Sequence, residues 1–304
     1  MIKFLSTFFP SLSRLLSETT TSDHQEITDC TAFLETGDYE KAIKAGKLAI
    51  KKYPKDPKGY RCLGRVYPFV MQFDLAYENL KKAEKLTNNN GDLIDLYKEI
   101  GELLFWMSHR KDRLDDALSY FNKALALASV SNITGVQAGI LHNVAKVYLY
   151  KGDIDKALLY FKMSLSLQTD EKEKVPTYEN IIIAYKEKGD YQKVDEYLQK
   201  IIEIYEKYGD SHDVAKHKLD SGDIYRGIKD YENAEKYIAE GIEDAKKIGN
   251  KHLEAVGYWN LGKLYRDKGD KETARKFYTL ASDFFKSIGN EGTAWFILKE
   301  MEEL

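Results

Sequence analysis

The stretch Tyr258-Trp259-Asn260-Leu261-Gly262-Lys263-Leu264-Tyr265, followed by Gly269-Asp270 and then by Ala274, Tyr278 and Ala281, decides how this chain folds. Gly262 and Tyr265 share one face of a helix: the small residue lets a neighbour approach and the ring packs beside it. Gly269 can take the backbone conformation that ends a helix, and Asp270 can cap the helix that follows. Ala274 and Ala281 lie two turns apart on that second helix, so it too can be approached closely. The stretch reads as helix A, tight turn, helix B.

The same pattern recurs in both directions from it. Turns begin at Gly37, Met71, Asp112, Gly152, Gly189, Lys229 and Gly269, at intervals of 34, 41, 40, 37, 40 and 40 residues. Five residues after each turn begins stand Ala42, Ala76, Ala117, Ala157, Val194, Ala234 and Ala274; twelve after stand Ala49, Ala83, Ala124, Ser164, Ile201, Gly241 and Ala281. Four residues before the turns lie Phe33, Tyr67, Tyr148, Tyr185, Tyr225 and Tyr265, and three before those Cys30, Gly64, Ala145, Ile182, Gly222 and Gly262. The third copy, Tyr97-x-x-Ile100-Gly101-x-x-Leu104, reaches its turn four residues late. Four residues make about one helical turn, so its helix A is expected to run on through Phe105, Trp106, Met107 and Ser108.

These copies resemble the tetratricopeptide repeat, whose signature is Trp-x-x-Leu-Gly-x-x-Tyr, then Ala, an aromatic, Ala and often Pro. The first copy keeps the closing proline as Pro54, and the resemblance covers roughly residues 23–288. It implies an all-α, right-handed α-solenoid of about seven helix-turn-helix units, because a single hairpin cannot bury its own apolar face. The expected organisation is an N-terminal segment (1–22), the repeats (23–290) and a capping helix (291–304). In that last helix Ala294, Phe296, Ile297, Leu298 and Met301 would cover the final repeat, with Lys299, Glu300, Glu302 and Glu303 outward.

Composition agrees with a folded, soluble chain. Apolar residues make up 43% and charged residues 31%, and 46 Lys+Arg against 49 Asp+Glu leave a net charge of −3. That balance argues against nucleic acid, whose binding rests on excess positive charge. Met1 to Phe9 is apolar but too short to span a bilayer. It is expected to form a short helix over the end of the stack or a tail; membrane-surface attachment or a cleaved signal is the alternative. Cys30 and Cys62 are too few and too scattered for a disulfide framework, so they are expected as reduced thiols in a cytoplasmic protein.

No catalytic constellation stands out. Gly257 to Lys263 matches the first seven positions of a phosphate-binding loop, but Leu264 replaces the hydroxyl residue and the match falls inside a helix A. His212 and His217, five apart, do not share a helix face, and no His-Glu-x-x-His or Cys-x-x-Cys occurs. The expectation is a protein that is not an enzyme, with no metal, cofactor or small-molecule substrate.

A partner would sit on the stripe of helix A beside the packing face. The fourth unit puts Gly139, Asn143, Lys146 and Tyr150 there; the fifth Pro176, Asn180, Ile183 and Glu187; the sixth Lys216, Asp220, Asp223 and Gly227; the seventh Val256, Asn260, Lys263 and Asp267. Asn143, Asn180 and Asn260 share one register, although Asn is a poor helix-interior residue. Its amide offers a donor and an acceptor, which suits an extended peptide backbone. In 40-residue variants of this repeat, such as kinesin light chains and bacterial peptide-pheromone receptors, an Asn at this place clamps the peptide backbone, and the resemblance implies that role for these three. The other role open to them is bonding to the neighbouring repeat. Lys146, Arg226, Lys263 and Arg266, on or beside the stripe, favour an acidic segment or a carboxylate, diluted by Glu187, Asp223 and Asp267. Arg61, Arg65, Phe69, Phe105 and Trp106 suggest a more basic and aromatic end in the second and third units. The partner is thus expected to be a protein or peptide, with self-association as the alternative.

Overall fold

A computed structural model describes residues 24–107 and 113–304. The expectations for residues 1–22 therefore lie outside the described residues. The described residues form fifteen α-helices and one 3-10 turn. They fall into two compact units, the first ending at Gln168 and the second running Thr169–Leu304.

In the first unit the helices are α1 (Gln25–Glu35), α2 (Tyr39–Lys52), α3 (Pro57–Val66, continued by the 3-10 turn Tyr67–Val70), α4 (Phe73–Leu86), α5 (Asn90–Trp106), α6 (Arg113–Val130), α7 (Thr134–Tyr150) and α8 (Ile154–Leu167). The second holds α9 (Glu171–Lys188), α10 (Tyr191–Lys207), α11 (Ser211–Gly227), α12 (Tyr231–Lys247), α13 (Lys251–Asp267), α14 (Lys271–Ser287) and α15 (Glu291–Glu302). Odd-numbered helices are the A helices and even-numbered ones the B helices, and each A packs on the B that follows it.

Six of the seven turns are where the spacing placed them, and the seventh, at Asp112, lies outside the described residues. Gly37, Gly152, Gly189 and Gly269 have positive φ, and so do the two non-glycine turn residues Met71 and Lys229. At Gly269 the reversal is closed by Asp270 N–H donating to Tyr265 O at 2.9 Å and Gly269 N–H to Arg266 O at 3.0 Å. Asp38, Asp153, Asp190, Asp230 and Asp270 then cap the following helices, each side chain accepting from the backbone N–H three residues on. The second unit also shows a half-period that the 40-residue spacing conceals. Left-handed residues stand at 189, 209, 229, 249, 269 and 289, so A-to-B and B-to-A turns are built alike.

Small residues on helix A serve large ones on helix B. A Cβ on Gly262 would stand 2.7 Å from Tyr278 Cδ1, one on Gly222 2.3 Å from Ile238 Cγ1, and one on Gly101 2.6 Å from Phe121 Cε1. The helix-A tyrosine then lies on an aromatic ring of its own helix B: Tyr148 on Tyr160, Tyr185 on Tyr197, Tyr225 on Tyr237 and Tyr265 on Phe277, with centroids 5.2–5.9 Å apart.

Two expectations are corrected. Helix α5 ends at Trp106, nine residues after Tyr97, as α13 ends at Asp267, nine after Tyr258. The helix of the third unit is therefore not longer than its counterpart, and residues 108–112, which follow Met107, lie outside the described ones. Cys30 and Cys62 are not reduced thiols but form a disulfide between α1 and α3, with Cα atoms 6.4 Å apart. Their separation of 32 residues is close to one repeat, and stacking brings equivalent faces of successive A helices together. The expectation of a cytoplasmic location rested on reduced thiols and loses that support; among the described residues no helix is long and apolar enough to cross a membrane.

Helix α15 differs from its expected packing in one respect. Ala294 and Ile297 are buried against the preceding hairpin, with Met301 packed beside them. Phe296, expected to cover the repeat, is 48% exposed and meets Trp259 edge-on at 6.0 Å. Glu300, expected outward, accepts from Trp259 Nε1 at 2.7 Å. Phe296 and Glu300 thus stand against the helix-A face of α13.

Candidate binding face

In the first unit the stripe on α7 faces α5. Asn143 Nδ2 donates to Glu102 Oε1 at 2.8 Å. Burial pushes the Glu102 carboxyl above its ordinary range. Lys146 holds its ammonium 5.4 Å from the centre of the Phe105 ring, and burial lowers its pKa against the pull of Glu102. The Tyr150 ring, well exposed, meets Phe105 edge-on at 5.8 Å. His142, beside them, is pushed down to about 3 by burial.

The expected basic end of the second and third units is neutralised. Arg61 donates Nε and a terminal N–H to the two Glu99 oxygens at 2.9 and 2.8 Å, and Asp95 lies 3.4 Å away. Burial opposes ionisation of Glu99, yet Arg61 holds its carboxyl below the ordinary value. Phe69 stacks on Tyr39 at 4.9 Å, within the N-terminal core.

In the second unit the three registers differ. Asn180 Nδ2 donates to Pro176 O of its own helix at 2.8 Å. Asn260 is only 7% exposed and donates to Leu219 O of the preceding helix A at 3.2 Å. Asp220, which takes the Asn place on α11, is open to water, and burial nevertheless raises its pKa. Glu179 on α9 behaves in the same way, and Lys216 is the cation acting on both. Ile183 is an exposed apolar side chain on the same helix as Asn180.

Further along, Arg226 donates to Asp223 at 2.9 Å and pairs with Asp267, and Arg266 Nε donates to Asp267 at 3.1 Å. These arginines are therefore already neutralised. Lys263 is not: its ammonium lies 4.1 Å from the Trp259 ring centre and has no ion pair among the described residues. Burial lowers its pKa, Asp223 and Glu300 opposing this. The Tyr278 hydroxyl is buried without a hydrogen-bond partner, in the field of Arg266, Glu300, Asp267 and Arg226.

Sequence spacing pointed to Asn143, Lys146, Asp220, Asp223, Asn260 and Lys263, but not to Glu102, Glu179, Trp259 or Glu300, which stand beside them. Their signal was available, since Glu179 and Trp259 occupy the position before the Asn register and Glu300 repeats that register on α15.

Together these features define a helical-hairpin repeat protein whose A helices carry partly desolvated polar groups in each unit. The family model for the tetratricopeptide repeat matches residues 106–170 and 213–287. These stretches belong to the tetratricopeptide repeat family, and the fold of the described residues is all-α and of the tetratricopeptide solenoid class. A tetratricopeptide repeat-containing protein of Methanocaldococcus jannaschii is 26% identical; the match covers 57% of this chain and spans 35% of the length of that relative. The apo form of RapI shares 16% identity, with 99% of this chain and 97% of that one aligned at a TM-score of 0.65. The apo form of the quorum sensor NprR from B. thuringiensis shares 15%, with 99% and 93% aligned at 0.58. A Rap protein complexed with competence and sporulation factor shares 12%, with 93% and 87% aligned at 0.52. At such identities these structures speak for the fold alone.

Proposed function

We propose that this chain is a non-catalytic adaptor that holds an extended polypeptide segment against the helix-A faces. One observation carries this. Among the described residues, every carboxyl group, lysine or histidine whose pKa burial moves on balance toward its neutral form belongs to a helix A: Glu102, His142, Lys146, Glu179, His217, Asp220 and Lys263. Ion pairs on helices B shift the other way; hydrogen bonding from Lys156 holds Asp153 at the α8 cap low, and Glu243 holds Lys247 on α12 high. Partly desolvated polar groups are what a binding face requires, because a partner's hydrogen bonds and charges replace the water they lack. The Rap complex named above binds its factor on the same fold, which supports the proposal by analogy only.

Lysine footprinting tests it. Peptides selected from a random library should shield Lys146 or Lys263 from acylation and leave Lys44 and Lys247 on helices B reactive. Shielding confined to helix-B lysines, or the absence of any binding peptide, would refute it. Self-association is the second reading, favoured by Leu159 and Met163, exposed one turn apart on α8. It expects a sedimentation coefficient that rises with concentration and falls back in Leu159→Glu.

A further inference from the structure

In the second unit, unpaired charges of opposite sign stand toward the two ends of the helix-A series α9, α11 and α13. At one end Glu179 and Asp220 form no ion pair among the described residues, and Lys216 offsets them only from a distance. At the other end Lys263 has no carboxylate partner and rests on the Trp259 ring. Between these ends Arg226 and Arg266 are neutralised by Asp223 and Asp267. A separate observation lies among the same neighbours: the Tyr278 hydroxyl, fully buried and without a hydrogen-bond partner, is in the field of Glu300, Arg226 and Arg266, which also act on Lys263.

We infer that the second unit binds a polarised peptide segment, a basic residue seated at Glu179 and Asp220 and an acidic group seated at Lys263. This rests on the proposed peptide-binding role and adds the chemistry and orientation of its occupant. Charge complementarity selects the occupant, since like charges brought against either end would lose water and gain nothing. The spacing follows from packing. Helices A of neighbouring repeats α11 and α13 lie side by side, and packed helix axes are about 8–10 Å apart. Extended backbone advances about 3.3–3.6 Å per residue, so a step of one helix, from Asp220 to Lys263, places the two charges roughly three residues apart. Next to the acidic group an apolar side chain would meet the edge of Trp259 and the exposed face of Phe296.

The test uses the full chain and two arrays of random decapeptides, one with blocked termini and one with free termini. Binders should carry Lys or Arg and Asp or Glu at the stated spacing, in one order along the peptide. If the acidic group is a chain terminus, only the free-terminus array will show that partner. Lys263→Glu should weaken the selected peptides about tenfold and restore binding when their acidic residue is replaced by Lys. Glu179→Lys with Asp220→Lys should do the converse, and the neutral pair Glu179→Gln with Asp220→Asn should weaken binding without reversing preference. Circular dichroism checks that each variant is folded; these side chains are accessible enough to be replaced. Peptides that bind with no charge preference, or with a preference that neither reversal moves, overturn the inference and leave the binding role intact. An absence of binders removes both.

Discussion

Asn143, Asn180 and Asn260 occupy one register of the repeat and have three different surroundings. Asn143 bonds a side chain of the neighbouring helix A, Asn180 a carbonyl of its own helix, and Asn260 a backbone carbonyl of the neighbour. Periodicity could show that an amide recurs; it could not show what faces the amide, because Glu102 comes from another register and Leu219 O is not a side chain at all. Their removal should therefore have unequal effects. Asn260→Ala deletes a buried bond, although Leu219 O keeps its place in the helical ladder, and should lower stability by about 1–2 kcal/mol. Asn180→Ala should leave stability within about 0.5 kcal/mol of wild type. Urea midpoints at constant m-value would measure both; equal losses at the two sites would contradict the distinction. If Asn180→Ala loses peptide binding while remaining this stable, the amide acts on the partner.

Helices were legible from the sequence because each signal was local: a small residue, an aromatic, a turn residue with an Asp behind it. The signals that failed were those that needed a neighbour in space. The four extra residues after Leu104 predict another helical turn, but helix A ends at Trp106, at the same distance from Gly101 as α13 ends from Gly262. The aromatic partners Tyr160, Tyr197, Tyr237 and Phe277 were overlooked because they answer helix A from helix B. Cys30 and Cys62 were judged by number, whereas repeat stacking makes residues one period apart neighbours. The disulfide closes a loop spanning 32 residues, and a cross-link of that span restricts the unfolded chain by about 3–4 kcal/mol. Cys30→Ser with Cys62→Ser should therefore weaken α1–α4 by roughly that amount. In hydrogen exchange, protection in α1–α4 should fall first, and reduction of the wild type should reproduce the effect. Unchanged protection in those helices would show that the covalent link adds nothing to their packing.

At the scale of the whole molecule, the two units share a sensitivity to acid that their compositions do not reveal. Each buries one histidine on a helix A: His142 is pushed down to about 3, and His217, stacked on Tyr205 at 4.6 Å, to about 4. Both lie below the ordinary value of 6.5, so the folded chain holds these rings neutral while the unfolded chain protonates them. Their contribution to stability is fully present above the ordinary value and is lost as pH falls from it toward the folded values. Glu102, Glu179 and Asp220 act in the opposite sense. Burial raises their pKa, so the folded chain takes up their protons first and gains stability between the raised and the ordinary carboxylate values. Just below neutrality the histidines govern, and each should cost roughly 2 kcal/mol by about pH 5. Melting temperature followed from about pH 7 to pH 5 should fall in the wild type. His217→Phe keeps a ring against Tyr205 but cannot take a proton, so it should flatten part of that fall, and His142→Phe should flatten another part. A wild-type melting temperature constant over that range, or one indifferent to both substitutions, would mean that these rings reach water in the folded protein. The helix-A faces would then be more open than their geometry indicates, and the same groups could exchange protons with a bound partner without first unfolding the repeat.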